Sequence, residues 1–277
     1  MSELEFDGII RAALLEDMPH GDITSESVIP AGAVSEAILL AKEDGVLAGL
    51  PVARRVFAIV DPAVEFRAAF EDGRSFRKDD ILARIKGPTV SLLKGERTAL
   101  NFLQRLSGIA TATHRFVSVV AGTRARILDT RKTTPGLRLL EKYAVRMGGG
   151  ENHRLGLSDM VLIKDNHLRF VGSIAEAVRR ARAKAPAGIK VEVEVTDLEE
   201  AREALAACAD IVMLDNMTTD AMREVVALYA GRIPLEVSGK VTLERAREIA
   251  ALGVDYISVG ALTHSSRALD ISLEFLS

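Results

Sequence analysis

The chain has 277 residues, 48% of them hydrophobic and 27% charged, with a formal net charge of -3 at pH 7. This length and mixture predict a folded chain with a sizeable core and exclude a mainly disordered protein. The charge supplies no general field for nucleic acid, so any anion site must be built locally. No apolar run reaches the roughly 18 residues that span a bilayer. The N-terminus also lacks the order of a signal peptide, so we expect a cytoplasmic protein.

The first part of the chain predicts a small, mainly β module bordered by helices. Residues 6–14 place apolar side chains at helical spacing, as an amphipathic helix does. Residues 34–93 alternate short apolar runs with glycine-containing turns, which is typical of β-strands. A long helical pattern follows over residues 96–120, and its leucine stripe predicts a buried face despite the internal Gly108. We expect this helix to connect two domains.

From Arg124 onward, β-rich runs alternate with helical stretches, which is typical of repeated βα units. Ser173 with Glu176, and Thr196 with Glu199, fit capping boxes at two helix starts. Six such units indicate a parallel sheet closed, or nearly closed, into a barrel. A doubly wound open sheet is the alternative, although no GxGxxG turn supports it. The predicted strands begin at Arg126, Met160, Val191, Ile211, Pro234 and Tyr256.

The single cysteine, Cys208, lies in the apolar stretch Leu205-Ala-Ala-Cys-Ala-Asp-Ile-Val. It cannot form an intramolecular disulfide, and free cysteine behaves as a small hydrophobic residue. We therefore expect Cys208 to be buried in a packing role.

Charged side chains are predicted to face the inside of the barrel. In the run 191–195, side-chain alternation turns Glu192 and Glu194 to one face and the valines to the other. A barrel interior is normally filled with branched apolar residues, and burying an unpaired charge costs several kcal/mol. Inward-facing charges therefore need partners or ligands and predict a functional site. The same alternation turns three more charged residues inward: Lys164, Asp215 and Glu236.

Polar residues also follow the C-terminal ends of the predicted strands, where α/β barrels assemble active sites. Glu194 and Asp215 end successive strands about 4.8 Å apart, so both carboxylates could reach one hydrated Mg²⁺ or the hydroxyls of a ribose. Ser238, Gly239 and Gly260 follow the last two strands, where barrels often hold a phosphate. Five further residues could supply donors to carboxylates and phosphates, at about 1.5 to 3 kcal/mol for each charge-assisted hydrogen bond: Arg131, Lys132, His153, Arg154 and Lys164.

The segment Asp129-Thr-Arg-Lys-Thr-Thr-Pro-Gly-Leu-Arg resembles the signature of the quinolinate phosphoribosyltransferases. The resemblance covers nearly the whole chain in order, and so many motifs together are highly specific. Further matching segments begin at Gly21, Gly95, Gly148, Leu162, Val191, Met213, Glu236 and Ile257.

The resemblance implies an α/β fold of two domains. Residues 1–107 would form an open-faced α/β sandwich that contributes to a dimer and to the neighbouring active site. Residues 108–277 would form an incomplete, TIM-like α/β barrel with the catalytic site, and the C-terminal tail would pack back on the first domain. Arg97 would be donated across the dimer interface, and dimers could assemble further into hexamers.

The implied reaction joins quinolinate and phosphoribosyl pyrophosphate into nicotinate mononucleotide, with release of pyrophosphate and CO₂, in NAD biosynthesis. Lys132, Lys164, Glu194 and Asp215 would be catalytic, and Mg²⁺ would bind Glu194 and Asp215, partly through water. Glu236 would orient a lysine. Among the substrate-binding residues, one group would surround the quinolinate carboxylates and the pyrophosphate: Arg131, Lys132, His153, Arg154 and Lys164. Another group would line the phosphate side: Ser238, Gly239, Gly260 and His264.

Lys240 departs from the family pattern, because the resemblance predicts glycine or asparagine at this position. The extra cation would either strengthen phosphate binding or point outward, and the sequence leaves both readings open.

Three alternatives remain at this point. Lys164 ends a predicted barrel strand and could form a Schiff base in a lyase or aldolase. A related phosphoribosyltransferase could act on another acid, as in the family members found with molybdate transport. The non-catalytic alternative is a regulator that only binds a phosphosugar. In such a protein, the acidic pair beside the cation cluster would have no chemical role.

Overall fold

The computed structural model describes residues 6–229 and 231–276, which form two compact units. The sandwich unit contains residues 6–114, 133–149 and 264–276, and the barrel unit contains residues 115–132 and 150–263. This division is discontinuous in sequence, whereas the sequence predicts one boundary after residue 107. The difference arises because residues 133–149 make their contacts within the sandwich unit. The C-terminal tail, which was expected to pack on the first domain, belongs to the same unit.

The sandwich unit has a four-stranded antiparallel sheet in the order β12-β1-β5-β3 and a two-stranded sheet of β2 and β4. The C-terminal strand β12 pairs with β1 in the register Ala37 to Phe275. The tail is therefore part of the main sheet of this unit. The strands are β1 (Val34–Ala41), β2 (Gly45–Val46), β3 (Glu65–Ala68), β4 (Ser75–Phe76), β5 (Ile81–Pro88) and β12 (Ile271–Phe275).

Five helices accompany these strands: α1 (Asp7–Asp17), α2 (Ile23–Val28), α3 (Leu50–Val60), α4 (Thr89–Val119) and α5 (Arg138–Met147). The long helix predicted over residues 96–120 is α4, which begins earlier than predicted, directly after β5. Its predicted apolar stripe is buried as expected, with Leu103 and Ile109 both 0% exposed.

The segment that follows Lys132 is fixed to the sandwich unit by a buried ion pair. Glu141 on α5 is 0% exposed and accepts hydrogen bonds from Arg105 Nη2 at 2.7 Å and from the Thr134 backbone N–H at 3.0 Å. The hydroxyl of Tyr143 donates to Asp72 at 2.6 Å. These contacts anchor the chain directly after the predicted substrate-binding residues Arg131 and Lys132.

The barrel unit contains six parallel strands in the order β6-β11-β10-β9-β8-β7. Among the residues described, no ladder joins β6 to β7, so the ring of strands stays open there. This confirms the predicted incomplete α/β barrel. The strands are β6 (Arg126–Leu128), β7 (Val161–Ile163), β8 (Val191–Val195), β9 (Ile211–Asp215), β10 (Leu235–Ser238) and β11 (Tyr256–Ser258). The helices are α6 (Asp165–Val171), α7 (Ile174–Lys184), α8 (Leu198–Ala206), α9 (Thr219–Tyr229), α10 (Leu243–Ala251) and α11 (Ala261–His264).

Two local predictions from the sequence are wrong. Cys208 is exposed rather than buried, because it occupies a turn with φ 58° after α8, while Ala204 and Ala209 fill the adjacent core. The N-cap of α8 is Asp197, whose side chain accepts the Glu200 N–H, so the capping box predicted at Thr196 is shifted by one residue. In the part of the chain described, no helix has the length and apolar character that crossing a bilayer requires.

A close backbone contact explains the glycine inside α4. A Cβ atom at Gly108 would lie 1.9 Å from the carbonyl oxygen of Arg267, within the same unit. Glycine therefore lets the helix pack directly against the segment that leads to β12.

We expect Gly108→Ala to lower the free energy of unfolding by about 2 to 3 kcal/mol, because the added methyl group overpacks a backbone contact. Gly8→Ala is the matched control, since no heavy atom lies within 4 Å of a Cβ at this position of α1. It should raise the free energy of unfolding by up to about 1 kcal/mol. Urea titration measures both changes, and equal effects would contradict the packing argument.

Candidate active site

The predicted alternation of side chains in β8 is confirmed. Val191, Val193 and Val195 are each 0% exposed on one face of the strand. On the other face, Glu194 forms an ion pair with Lys164, the residue that follows β7. Because β7 and β8 are neighbours in parallel register, this pair joins the C-terminal ends of two adjacent strands.

A cavity of about 600 Å³ lies in the barrel unit at the C-terminal ends of its strands. It brings together most of the residues predicted to form the site. Its wall contains cationic and acidic side chains together with the residues at the C-terminal end of β10. The predicted residues that line it are Arg131, Lys132, His153, Arg154, Lys164, Glu194, Asp215, Ser238, Gly239 and Lys240.

Four predicted residues have other positions. Glu236 is 1% exposed, and its carboxylate accepts a hydrogen bond from the Ser258 hydroxyl. Lys164, whose charge acts on Glu236, forms an ion pair with Glu194. Gly260 is half-buried directly after β11 and lies outside the set of described lining residues. The remaining two residues, Arg97 and His264, are exposed and belong to the sandwich unit.

The cationic side of the cavity is held in place by a short, hydrogen-bonded loop. The Asp159 carboxylate accepts the backbone N–H groups of Leu155 at 2.6 Å and Gly156 at 2.8 Å. Arg154 Nη1 donates to the carbonyl of Met160 at 3.0 Å. Burial lowers the pKa of Arg154, and the positive charge of Arg131 lowers it further. Two guanidinium groups held close enough to repel each other form a favourable site for an anion.

The acidic side of the cavity is formed by Glu194 and Asp215, on the neighbouring strands β8 and β9. Asp215 accepts a hydrogen bond from Asn216 Nδ2 at 2.7 Å. Hard carboxylate oxygens are the protein ligands that Mg²⁺ prefers, and Mg²⁺ usually keeps several waters in an open site. The donor set that lines this cavity therefore fits the predicted Mg²⁺.

An unusual backbone conformation shapes the β9–β10 edge. Asn216 and Lys240 have φ angles of 54° and 44°, in the left-handed region that favours glycine or asparagine. Gly239, with φ 104°, could not carry a side chain, because a Cβ would lie 2.2 Å from Asn216 Oδ1. The left-handed conformation therefore explains why glycine or asparagine is expected at position 240. Lys240 adopts this conformation at the rim of the cavity.

Sequence reasoning missed several lining residues. Leu162 and Met213 share the inward face with Lys164 and Asp215, so strand alternation could have found them, but apolar residues carried no site signal. Asn216 could have been found from its place directly after a strand. The missed lining residues are Thr130, Leu162, Met213, Asn216 and Ser258.

A buried cluster lies among the barrel strands next to the cavity. His153, Glu192 and Glu236 bring potential metal-ligand atoms within 4.8 Å of one another. Burial raises the pKa of Glu236 well above its usual value, and the nearby charge of Glu192 raises it further. The raised pKa favours the neutral form of Glu236, which limits the charge buried in this cluster.

Together, the incomplete barrel and its cavity define an α/β-barrel enzyme that binds an anionic substrate between a cation cluster and a carboxylate pair. Family models of the quinolinate phosphoribosyl transferase N-terminal and C-terminal domains match residues 22–107 and 109–274. The chain belongs to the quinolinate phosphoribosyl transferase family.

Curated relatives and solved structures agree with this assignment. The chain is 44% identical to the probable nicotinate-nucleotide pyrophosphorylase [carboxylating] of Bacillus subtilis, over 99% of this chain and 94% of the relative. It is 46% identical to the nicotinate-nucleotide pyrophosphorylase [carboxylating] of Mycobacterium leprae, over 99% of each chain. The crystal structure of NadC from Streptococcus pyogenes has 45% identity and a TM-score of 0.96, over 100% of this chain and 99% of that one.

The raised pKa of Glu236 predicts a pH-dependent cost to stability. Above its usual pKa near 4.5, the unfolded chain releases this proton while the folded chain keeps it. Folding therefore becomes less favourable as the pH rises from 4.5 towards the folded-state pKa. Glutamine cannot ionise, so the stability of Glu236→Gln relative to the wild type should increase as the pH rises above 4.5. Denaturant titrations at several pH values measure this difference, and a constant or shrinking difference would contradict the assignment.

Proposed function

We propose that this enzyme is a pentosyltransferase that joins quinolinate to the ribose of phosphoribosyl pyrophosphate. The products are nicotinate mononucleotide, pyrophosphate and CO₂, in a step of NAD biosynthesis. The observation that carries the proposal is the cavity in which a cation cluster faces a carboxylate pair. A diacid and a phosphosugar are substrates that require these two kinds of surface.

The cation cluster would hold the negative charges of both substrates. Arg131 and Arg154 can each donate two parallel hydrogen bonds to a carboxylate. Lys132 and Lys164 would stabilise the pyrophosphate as it leaves the anomeric carbon of the ribose. Because these donors are held before the substrate binds, they can stabilise developing charge without reorganisation.

The carboxylate pair would act on the ribose. As the bond to pyrophosphate breaks, positive charge develops on the sugar, and the carboxylates of Glu194 and Asp215 favour that charge. The same two residues would hold Mg²⁺, partly through water, which would neutralise charge on the leaving pyrophosphate. The Lys164 ammonium is paired with Glu194, so it lies beside the carboxylate pair and could also contact the pyrophosphate.

Loss of CO₂ follows attack by the pyridine nitrogen. The electron pair of the breaking C–C bond stays on the ring carbon, where the adjacent positive nitrogen stabilises it, and a proton then takes the place of the lost carboxylate. Leu162 and Met213 give the cavity an apolar surface against which a flat ring could pack. No covalent enzyme intermediate is needed, so Lys164 has no role as a Schiff-base nucleophile in this reaction.

We also propose a cytoplasmic homodimer in which Arg97 is donated to the active site of the partner subunit. Arg97 is exposed on α4, where a cation does not benefit from the helix dipole. Analytical ultracentrifugation would distinguish a monomer, a dimer and a hexamer.

The decisive experiment follows nicotinate mononucleotide and CO₂ together after adding quinolinate, phosphoribosyl pyrophosphate and Mg²⁺. Equal amounts of both products support the proposal. Binding of the phosphosugar without either product would retain the fold and the site but require another acid, as in the related phosphoribosyltransferases.

Glu194→Ala and Arg131→Ala should each lower turnover by about 100-fold or more, because each removes charge placed at the reacting groups. Their melting temperatures should stay near that of the wild type. Glu199→Ala is the matched control, since Glu199 has an 83% exposed side chain on the same unit. A fully active Glu194→Ala variant would contradict the assigned site.

Lys240→Gly should separate the two open readings of this residue. Relief of the left-handed backbone should raise the free energy of unfolding by about 1 kcal/mol. If the ammonium contacts a phosphate, KM for phosphoribosyl pyrophosphate should rise by roughly 3- to 10-fold. Asp79→Gly is the control, because Asp79 also has a left-handed φ, of 70°, but lies in the sandwich unit. An unchanged KM in Lys240→Gly would mean that Lys240 points outward.

A further inference from the structure

Asp129 is a fully buried acid at the end of β6 to which the reaction proposed above assigns no role. It is 0% exposed and directly precedes residues 130–132, which line the cavity in the same unit. Its two carboxylate oxygens accept hydrogen bonds from one short segment of the chain. The backbone N–H of His153 donates to Oδ1 at 2.9 Å, and Asn152 Nδ2 donates to Oδ2 at 2.6 Å.

A short parallel ladder joins this segment to β6 and ends at the carboxylate. The N–H of Glu151 donates to the carbonyl of Ile127 at 2.8 Å, and the N–H of Asp129 donates to the carbonyl of Glu151 at 3.2 Å. If the parallel ladder continued, the N–H of His153 would donate to the backbone carbonyl of Asp129. It donates to the side-chain carboxylate instead. The regular pairing therefore ends here, and the Asp129 side chain continues to hold the two segments together.

Both segments continue into the cationic wall of the cavity. Arg131 lies two residues after Asp129, Arg154 directly follows His153, and both arginines line the cavity. Burial lowers the pKa of Arg154, and the positive charge of Arg131 lowers it further, so the two cations act on each other. Like charges repel, and other contacts must therefore hold their spacing before an anion arrives. Asp129 supplies such a contact, because it joins the two segments just before each cation.

We propose that Asp129 is a positioning residue of the active site: its buried carboxylate fixes the two segments to each other and so sets the spacing of Arg131 and Arg154. The wall would then be ready to receive a carboxylate or phosphate group. The identity of that group rests on the proposed function. Asp129 is fully buried and is not among the residues that line the cavity, so it acts through the two cations and not on the substrate itself.

The hydrogen bonds and the charge of Asp129 have opposite effects on the binding of an anion. A negative charge near the wall repels an anion, so removing the charge alone would tighten binding. Removing the hydrogen bonds would take this acceptor from the His153 N–H and let the segment move, which would weaken binding. The direction of the change therefore distinguishes a positioning role from a purely electrostatic one.

Titration calorimetry with pyrophosphate and Mg²⁺ tests the proposal on two variants that remove the same charge. Asp129→Ala removes both acceptor oxygens, and the Kd for pyrophosphate should rise by about 10- to 100-fold. Asp129→Asn keeps an oxygen for the His153 N–H, and Asn152 can rotate its amide to accept from the new Nδ2. Its Kd should therefore stay within about 3-fold of the wild type. Unchanged or tighter binding by Asp129→Ala, or equal impairment of both variants, would overturn the proposal.

Asp255→Ala is the matched control for a merely structural effect. Asp255 accepts the N–H of Leu235 at 2.9 Å, at the start of β10 and so at the opposite end of the same sheet. Asp255→Ala should lower the melting temperature and leave the Kd for pyrophosphate unchanged. Partial unfolding reduces the number of binding sites but not the affinity of the folded fraction, so lost stability cannot imitate the expected rise in Kd. A similar rise in Asp255→Ala would contradict a specific role for Asp129.

Hydrogen exchange of the His153 backbone amide tests the contact in the wild-type protein, so the test does not depend on a variant that folds. We expect slow exchange in the ¹⁵N-labelled protein, because the N–H donates to a buried carboxylate. Exchange as fast as in exposed loops would refute the contact.

Neither measurement requires turnover, so this inference and the proposed function can fail separately. An enzyme that makes no nicotinate mononucleotide from quinolinate would contradict the proposed function, while the Kd values for pyrophosphate would still decide the role of Asp129. A wild type that binds no pyrophosphate would rule out the positioning role, because the wall would then hold no anion.

Discussion

Charged side chains that face the interior of the barrel unit must be neutralised there, because an unpaired ion at low dielectric costs several kcal/mol. Three arrangements achieve this in the described part of the barrel. Glu194 pairs with Lys164, burial beside Glu192 raises the pKa of Glu236 and so favours its neutral form, and Glu192 Oε2 lies 3.1 Å from His153 Nε2. At the wall of the cavity, burial and the positive charge of Arg131 both lower the pKa of Arg154, and an anionic ligand would bring the opposite charge there.

Strand alternation and a few special backbone positions bring these charges together. Side chains alternate along β8, so Glu192 and Glu194 point inward while the neighbouring valines are buried on the opposite face. At the β9–β10 edge, alternation ends, and the left-handed conformations of Asn216 and Lys240 control the direction of the chain. Functional sites commonly retain such locally unfavourable conformations when the surrounding structure holds them. In this barrel they lie beside the carboxylate pair, where the cavity opens.

The sequence was sufficient for the barrel, which follows from repeated βα units, and for the inward charges, which follow from a period of two along short strands. Most of the remaining cavity lining was predicted from its place after a strand or from the family motifs. It was insufficient where contacts between distant parts of the chain determine the position of a segment or a side chain. Nothing local indicates that residues 133–149 leave the barrel to join the sandwich unit through Glu141 and Arg105. The apolar context of Cys208 suggested burial, but a turn with positive φ faces that side chain outward. Glu192 was recognised as inward-facing, while its proximity to His153, which is distant in sequence, could not be inferred.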